Sequence, residues 1–456
     1  MRNKINNNFE SLNRFIKQNF DKWNIPGMAI GVLHQGEMTT AGFGVTNINH
    51  QLPITDDTLF QIGSITKTYV GTAIMRLVEL GKLNLDSTIQ TYLPDFKVAD
   101  ETTSAKATIR HLLTHTSCFV GDIFRDTGSG DNALANYVAT LVNSEQLAPL
   151  GTSFSYNNAG FSILGLIIEK VTGKTFEAAL GELVFDPLGL ENTYLRPTDV
   201  MAHRFVVGHH KGKNGLEIAL PWQIERSGYP QGGIISNIKD VLRYADFHIS
   251  NGTIVDGPRL LSENSFEQMH SPLTFVRDNE YWGLSWNVKQ VDGLRQISHG
   301  GATNGQICLL TLFPEHQFAI AVLTNAQNGD SIIEEITGYA LKNYLGVVIP
   351  EPEQIKASEE ELAAYTGYYE RQYMDVELYM QSGKLMCKMI IKQGFPNEET
   401  PPEPSPPPMT IALCKKDCFI VLDGEYKGSK VDIIRRSDGA IGWLRLGARI
   451  HPRKED

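Results

Sequence analysis

Two residues one helical turn apart carry the clearest chemistry in this sequence. Ser64 and Lys67 form a Ser-x-x-Lys pair, and the apolar residues that follow recur at helical spacing. A serine hydroxyl is a weak nucleophile that needs a neighbouring base. A lysine can be that base when burial and the positive end of the helix dipole lower its pKa. The pair therefore predicts acyl transfer, although a motif that fixes two residues also arises by chance.

Two further short motifs follow in chain order. Tyr156-Asn157-Asn158 is a Tyr-x-Asn motif directly before a predicted helix at Ala159, and His299-Gly300-Gly301 ends a predicted strand and precedes Ala302. A loop tyrosine alone is usually a packing residue, and His-Gly-Gly alone is usually a turn. Three such motifs in this order and at these separations are hard to obtain by chance, so we interpret them as parts of one site.

The surrounding patterns predict how that site is positioned. A helix up to about Trp23, a hairpin through Gln35-Gly36, apolar strands between 294 and 324 and a helix at 331–345 are expected. They predict an α/β (α+β) fold in which an antiparallel sheet is flanked by N- and C-terminal helices. A mostly helical inserted domain, at about 85–290, separates the two halves of the sheet.

The last hundred residues differ in pattern from the rest. We predict a catalytic domain at 1–348, a Pro- and Glu-rich linker at 349–358 and a small antiparallel β-barrel at 359–456. The Pro-rich loop 397–408 is expected to be extended. No motif with catalytic chemistry follows residue 302. We therefore expect the barrel to govern substrate access, or to pair with another subunit in a homo-oligomer.

Composition excludes several classes of function. The chain has 456 residues, a net charge of −11 and no basic stripe, so nucleic acid is not an expected partner. No stretch is long and apolar enough for a membrane span or the core of a signal peptide, so a cytoplasmic location is expected. We expect no cofactor and no metal, and we assign His203, His209 and His210 to a loop. The five cysteines are expected to be thiols, although Cys414 and Cys418 could pair across a hairpin.

Five arginines near the C-terminus are spread over strand-like segments, which argues against a basic patch. We interpret them as solvated strand faces. They are Arg435, Arg436, Arg445, Arg449 and Arg453.

With the three motifs in place, the chain resembles the serine beta-lactamase and penicillin-binding DD-peptidase superfamily, in its class C, D-aminopeptidase and esterase branch. The resemblance covers about residues 10–345, and the C-terminal part resembles the lipocalin-like barrel of many members. Supporting blocks are Arg110-His-Leu-Leu-Thr-His-Thr-Ser117, Asn158-Ala-Gly-Phe-Ser-Ile-Leu-Gly165, Asp186-Pro-Leu-Gly-Leu190, Gln231-Gly-Gly-Ile-Ile-Ser236 and Leu362-Ala-Ala-Tyr-Thr-Gly-Tyr-Tyr369.

The resemblance implies a role for each motif. Ser64 would be the acylated nucleophile, Lys67 would take its proton, and Tyr156 would act as a second base or as a proton relay to the leaving group. Asn158 would bind the substrate carbonyl and Lys67, and the N–H groups of Ser64 and Ala302 would form the oxyanion hole. The remaining residues expected along a substrate-binding strand edge are His299, Gly300 and Gly301.

Two departures from the family pattern bear on the substrate. Beta-lactamases usually carry Lys-Thr-Gly or Lys-Ser-Gly where this chain has His299-Gly300-Gly301, so the usual anchor for a substrate carboxylate is absent. A block that ends Thr-Ser-Gly in the family reads Thr116-Ser-Cys118 here, and we interpret Cys118 as a buried packing residue. The first departure argues against efficient beta-lactam hydrolysis and for a substrate with a different end, such as a free amine or an ester.

The function predicted from the sequence is therefore a serine hydrolase with an acyl-enzyme mechanism, most specifically a peptidase acting on peptides or amides that contain D-amino acids. A carboxylesterase for short acyl esters is the alternative within the same class. A non-catalytic penicillin-binding-like scaffold is the alternative from another class, and the joint presence of Ser64, Lys67 and Tyr156 argues against it. The expected partner is a small peptide or ester.

Overall fold

The computed structural model of the chain describes residues 2–455 except 214, 255–256, 351–352, 396, 398 and 403. Two residues of the predicted linker (351–352) and two of the Pro-rich loop (398 and 403) therefore lie outside the described residues.

The described α-helices are α1 Arg2–Trp23, α2 Thr66–Glu79, α3 Ile89–Tyr92, α4 Glu101–Lys106, α5 Ile109–Leu113, α6 Ala133–Thr140, α7 Ala159–Thr172, α8 Phe176–Leu180, α9 Asp186–Leu188, α10 Pro197–Val200, α11 Tyr229–Gly232, α12 Ile238–Ile249, α13 Glu263–His270, α14 Gly329–Leu345 and α15 Glu359–Ala363.

The described strands are β1 Gly27–His34, β2 Glu37–Gly44, β3 Phe60–Gln61, β4 Thr193–Tyr194, β5 His209–Gly212, β6 Gly215–Ile218, β7 Ile235–Ser236, β8 Thr274–Arg277, β9 Glu280–Trp282, β10 Asn287–Val291, β11 Leu294–Thr303, β12 Gln306–Phe313, β13 Phe318–Thr324, β14 Gly367–Tyr369, β15 Met374–Gln381, β16 Lys384–Ile391, β17 Met409–Lys415, β18 Cys418–Val421, β19 Lys430–Arg435, β20 Ile441–Leu446 and β21 Arg449–Pro452.

The main sheet unites the two ends of the first 345 residues. Its strand order is β2-β1-β13-β12-β11-β10-β9-β8, and each described pairing is antiparallel, which confirms the predicted sheet. Side chains alternate across a strand, so β1 and β13 bury one set of residues against α1 and α14 and the other set against α2 and α12. This second face carries the Ser-x-x-Lys motif on α2.

The chain between β2 and β11 is mostly helical, as the pattern predicts. Helix α7 is apolar around almost its whole circumference and is buried as the centre of this part. However, residues 274–291, which the pattern assigned to the insertion, form β8, β9 and β10 and extend the main sheet. The alternation of apolar and polar residues that marks a strand was hard to recognise there, because these strands are short and contain polar, half-exposed residues. The domain boundaries themselves stay a prediction.

The C-terminal sheet has eight antiparallel strands in chain order, β14 to β21, around an apolar core of its own. A bridge between Tyr369 and Arg453, with Lys454 N–H donating to the Tyr368 carbonyl at 2.8 Å, joins the first strand to the last and nearly closes a barrel. The sequence pattern predicts strands at 376–380, 384–392, 409–413, 419–422, 430–435 and 441–446, and these coincide with β15 to β20. The patterns of β14 and β21 were missed because they are three and four residues long.

Among the described residues, no helix has the combination of length and apolarity that crossing a bilayer requires. The same residues contain no group of three or more His, Cys, Asp or Glu side chains arranged to hold a metal ion. All five cysteines are thiols, and the sulfurs of Cys414 and Cys418 lie 3.4 Å apart across the β17–β18 hairpin.

Candidate active site

Ser64 is positioned by a single 3-10 turn, Gly63–Ile65, which leads directly into α2. Gly63 has φ +52°, and a Cβ atom there would lie 2.5 Å from the backbone nitrogen of Ala302. Only glycine fits this combination of a left-handed backbone and a close approach. The turn therefore packs directly against β11, and Ser64 lies where the helix and the strand meet.

Lys67 lies one turn further on and is fully buried. Its Nζ donates to Ser64 Oγ at 2.9 Å and to the carbonyl of Gln231 at 2.5 Å. Burial lowers the pKa of Lys67 well below its usual range; Arg449 lowers it further, and Asp122 opposes the shift. A lysine with a lowered pKa spends more time as the neutral amine, which can accept the proton of Ser64.

Tyr156 covers the same pair from the loop before α7. The Lys67 ammonium lies 5.1 Å from the centroid of its ring. The phenol oxygen is buried and has no hydrogen-bond partner among the described residues. Burial raises the pKa of Tyr156, while Ser64 and Arg449 act in the opposite direction. A phenol that keeps its proton is better suited to pass one to a leaving group than to remove one.

The two asparagines of the motif have different surroundings. Asn157 ties the loop together, because its Nδ2 donates to the Phe119 carbonyl at 2.8 Å and its Oδ1 accepts from Gly160 N–H at 2.9 Å. Asn158 is buried, and its Nδ2 donates to Asp122 Oδ1 at 2.7 Å. The amide that the resemblance assigns to Lys67 and the substrate is therefore held by a carboxylate.

An open strand edge lies beside the nucleophile. The pairing of β10 with β11 ends at Ser298, so the following residues of β11 have no strand partner on that side within the described part of the chain. The backbone at Gly300 and Ala302 is exposed. Gly301 is buried, and a Cβ atom there would lie 1.9 Å from the Ile62 carbonyl oxygen. An extended chain can add to such an edge through main-chain hydrogen bonds, next to Ser64.

His299 does not replace the missing lysine cation. It is buried, its Nδ1–H donates to the Gly300 carbonyl at 2.6 Å, and its ring centroid lies 5.5 Å from that of Trp282. Burial, with a further contribution from Lys67, lowers the pKa of His299 to about 3. The strand edge therefore carries a neutral imidazole at neutral pH.

Cys118 stands where the family block usually has a glycine, and its backbone conformation shows why glycine suits this position. Its φ is +60°, a backbone conformation that favours glycine. The side chain is fully buried, the thiol donates to the Ser153 carbonyl at 3.1 Å, and burial raises its pKa to about 11. This environment suits a packing residue and not a nucleophile.

The structure also brings charged residues to the site that the sequence analysis missed. Asp122 is buried and accepts hydrogen bonds from Asn158, from Arg371 at 2.8 Å and from Arg449 at 2.7 and 3.2 Å. Burial opposes ionisation of this carboxyl. The two guanidiniums prevail and hold the pKa of Asp122 well below its usual range.

Two of the arginines interpreted as solvated strand faces instead make contacts with the catalytic part of the chain, and Arg445 is buried while Arg449 is half-buried. Arg445 is buried, pairs with Asp432 at 3.0 Å and donates to the Val276 carbonyl. Arg449 lies against Tyr156, with its guanidinium carbon 4.9 Å from the ring centroid. No local pattern signalled either contact, because alternation along a strand does not tell which of its faces meets another part of the molecule.

Comparisons with known proteins show which sequences and folds this chain is similar to. A family model described as Beta-lactamase matches residues 12–342. Penicillin-binding protein 4 of Amycolatopsis lactamdurans is 34% identical over 358 residues, which cover 76% of this chain and 94% of that protein. SurE, solved with D-Leu, has a TM-score of 0.76 at 21% identity over 98% of this chain and 100% of that one. The octameric penicillin-binding protein homologue from Pyrococcus abyssi has a TM-score of 0.67 at 22% identity, again over 98% and 100%. At such identities the two structural likenesses show the fold alone.

Proposed function

The chain belongs to the beta-lactamase family, and we propose that it is an acyl-enzyme serine peptidase acting on peptides or amides that contain D-amino acids. The observation that carries the proposal is the bond of 2.9 Å between the fully buried Lys67 amine and the Ser64 hydroxyl at the start of α2. The similarity to a penicillin-binding protein and to SurE, solved with D-Leu, supports this substrate class.

In the proposed reaction, Ser64 Oγ attacks the substrate carbonyl carbon while its proton passes to Lys67 Nζ. The N–H groups of Ser64 and Ala302 then donate to the oxygen that gains negative charge. Collapse of this intermediate breaks the bond to the leaving amine, which takes a proton delivered through Tyr156. Water completes the cycle by hydrolysing the ester on Ser64.

The neutral strand edge favours a second candidate, a carboxylesterase for short acyl esters. His299 and Gly300 offer neither the ammonium nor the hydroxyl that would bind a terminal carboxylate. An ester or an amine-ended substrate needs neither group. The catalytic steps are the same for both candidates, so the choice between them depends on what the cleft accepts.

One preparation can test these proposals. A fluorophosphonate probe should label the wild type and leave Ser64→Ala unlabelled, whereas a non-catalytic scaffold would give no Ser64-dependent label. D- and L-aminoacyl amides, p-nitrophenyl esters and a chromogenic cephalosporin are then compared by kcat/KM. A preference for D-aminoacyl amides supports the peptidase, and a preference for the esters supports the alternative.

A homo-oligomer through the C-terminal barrel belongs to the same proposal. The octameric homologue from Pyrococcus abyssi, which matches over nearly the whole chain, supports it. Light scattering measures the mass directly, and a monomer at micromolar concentration would contradict this part.

A further inference from the structure

The tip of the β20–β21 hairpin of the barrel contacts the Tyr-x-Asn loop at successive residues. The Tyr156 N–H donates to the Ala448 carbonyl at 2.9 Å, and the Ile450 N–H donates to Ser155 Oγ at 3.3 Å. Between these two bonds, the guanidinium of Arg449 lies over the ring of Tyr156. The loop that carries a proposed proton relay is therefore fixed by the last strands of the barrel.

Asp122 connects this hairpin to the other asparagine of the motif. One of its oxygens, Oδ1, accepts from both Asn158 Nδ2 and Arg449 Nη2, and the other accepts from Arg449 Nε and Arg371 Nη2. Arg371 is 4% exposed, and its Nε and Nη1 make no hydrogen bond among the described residues. We call Asp122, Arg371 and Arg449 the Asp122 cluster.

We infer that Asp122 is a positioning residue of the active site, which fixes Asn158 directly and the Tyr156 loop through Arg449, so that the C-terminal barrel completes the catalytic cleft. The inference rests on the proposed function. It modifies the expectation that the barrel affects only access or assembly. A catalytic group displaced by about 1 Å can lose on the order of a hundredfold in rate, so a device that fixes the loop from outside the catalytic sheet has a direct kinetic consequence.

The charges of the cluster give a readout that a purely structural contact would not give. The groups that face Lys67 are Ser64, Tyr156, His115, His299, Arg449 and Asp122. Arg449 lowers the pKa of Lys67, and Asp122 raises it. The acylation rate should rise with pH as Lys67 loses its proton, and we call this rise the acid limb. Arg449→Met should therefore move the acid limb to higher pH, whereas Asp122→Asn should move it to lower pH.

The experiment compares full-length wild type with Asp122→Asn, Arg449→Met and Arg449→Lys. The rate of Ser64 labelling by a small fluorophosphonate is measured against pH, and hydrogen exchange of the Tyr156 amide is measured on the same proteins. Asp417→Asn is the matched control, because Asp417 binds Arg435 through two guanidinium nitrogens within the barrel, and none of its contacts among the described residues reaches the cleft.

We expect Ser64 in Asp122→Asn and in Arg449→Met to be labelled at least about tenfold more slowly than in the wild type. In both variants the Tyr156 amide should exchange its hydrogen faster. The acid limb of the pH–rate profile should shift in opposite directions in the two variants. Arg449→Lys keeps the positive charge but loses the guanidinium that binds both oxygens of Asp122. The acid limb of its pH–rate profile should therefore stay in place, while the labelling rate and the hydrogen-exchange protection of the Tyr156 amide should fall. The inference would be overturned if Arg449→Lys kept the wild-type labelling rate and the wild-type protection of the Tyr156 amide. It would also be overturned if Asp417→Asn lost as much of both as the cluster variants do. If wild type takes no label, the proposed function fails, and amide exchange still decides the positioning role.

Discussion

The guanidinium carbon of Arg449 lies 4.9 Å from the ring centroid of Tyr156, although Arg449 belongs to the C-terminal sheet and Tyr156 to the loop before α7. The Lys67 ammonium lies 5.1 Å from the same centroid. Arg449 keeps its charge and stabilises any negative charge that the phenol acquires during proton transfer, and Lys67 does so in the state in which it holds the proton.

Ser64→Ala should abolish both turnover and covalent labelling. The substitution removes the proposed nucleophile and leaves the turn that holds it, since Gly63 sets the backbone there. Circular dichroism and thermal unfolding should match the wild type, which separates lost chemistry from lost structure. Substantial turnover by a folded Ala variant would remove Ser64 from the mechanism.

Lys67→Ala should slow acylation by about a thousandfold or more, because the hydroxyl loses its base. Lys67→Arg should not restore the rate, since a guanidinium stays protonated and cannot accept the proton. Single-turnover labelling measures both variants. An active Arg variant would mean that residue 67 only positions charge, and Tyr156 would then become the leading base.

Acylation should rise with pH along a limb set by the Lys67 ammonium. Because burial and Arg449 lower the pKa of that group, the limb should lie well below the range of an ordinary lysine. His299 should contribute no titration near neutral pH, since its pKa is lowered to about 3. The profile of kcat/KM against pH checks both statements. A limb that vanishes in His299→Gln would reassign the titrating group.

The double change His299→Lys with Gly300→Thr should shift preference toward carboxylate-ended substrates. It restores the cation and hydroxyl of the family pattern, and a Cβ atom at Gly300 meets nothing closer than 3.8 Å. One charge-assisted hydrogen bond contributes about 1.5–3 kcal/mol, on the order of ten- to a hundredfold. The ratio of kcat/KM for a cephalosporin to that for a D-aminoacyl amide measures the shift. An unchanged ratio in a variant that still acylates would mean that this edge does not set specificity.

Stability should depend on the Asp122 carboxylate in acid. Its pKa is lower in the folded than in the unfolded protein, so its contribution is present above the unfolded value of about 4 and is lost as pH falls toward the folded value. Asp122→Asn should cost about 3 kcal/mol at neutral pH, because it leaves the buried Arg371 guanidinium and the half-buried Arg449 guanidinium without their counter-ion. Urea unfolding across the acid range should show a flatter pH dependence for Asp122→Asn. Equal slopes would place the acid sensitivity elsewhere.

The sequence was informative where neighbours in the chain are neighbours in space. Ser64 and Lys67 are three residues apart, and helical periodicity alone places them on one face, where the structure has them. The strands of the main sheet were predictable because strongly apolar runs form them. The turn at Gly63 was recognisable as a break, but its direct contact with Ala302 could not be read from the pattern.

The Asp122 cluster could not be predicted from sequence. Asp122 lies 249 residues from Arg371 and 327 from Arg449, and no motif marks any of the three. Charged residues on short strands are usually solvated, which is why Arg449 was assigned to the surface. The contacts of the Asp122 cluster depend on how the barrel packs against the loop before α7. That packing is a property of the tertiary structure and leaves no local pattern in the sequence.

The separation of 327 residues between Asp122 and Arg449 also sets an order of events during synthesis. A ribosome adds about 5–20 residues per second, so the arginine emerges roughly 16–65 s after the aspartate. Throughout that interval the growing chain already carries the Ser64–Lys67 pair but lacks the strand that holds Tyr156 in place. If Ser64 and Tyr156 have the proposed roles, a nascent chain carries its nucleophile before its proton relay is fixed, and full activity has to await the folding of the barrel.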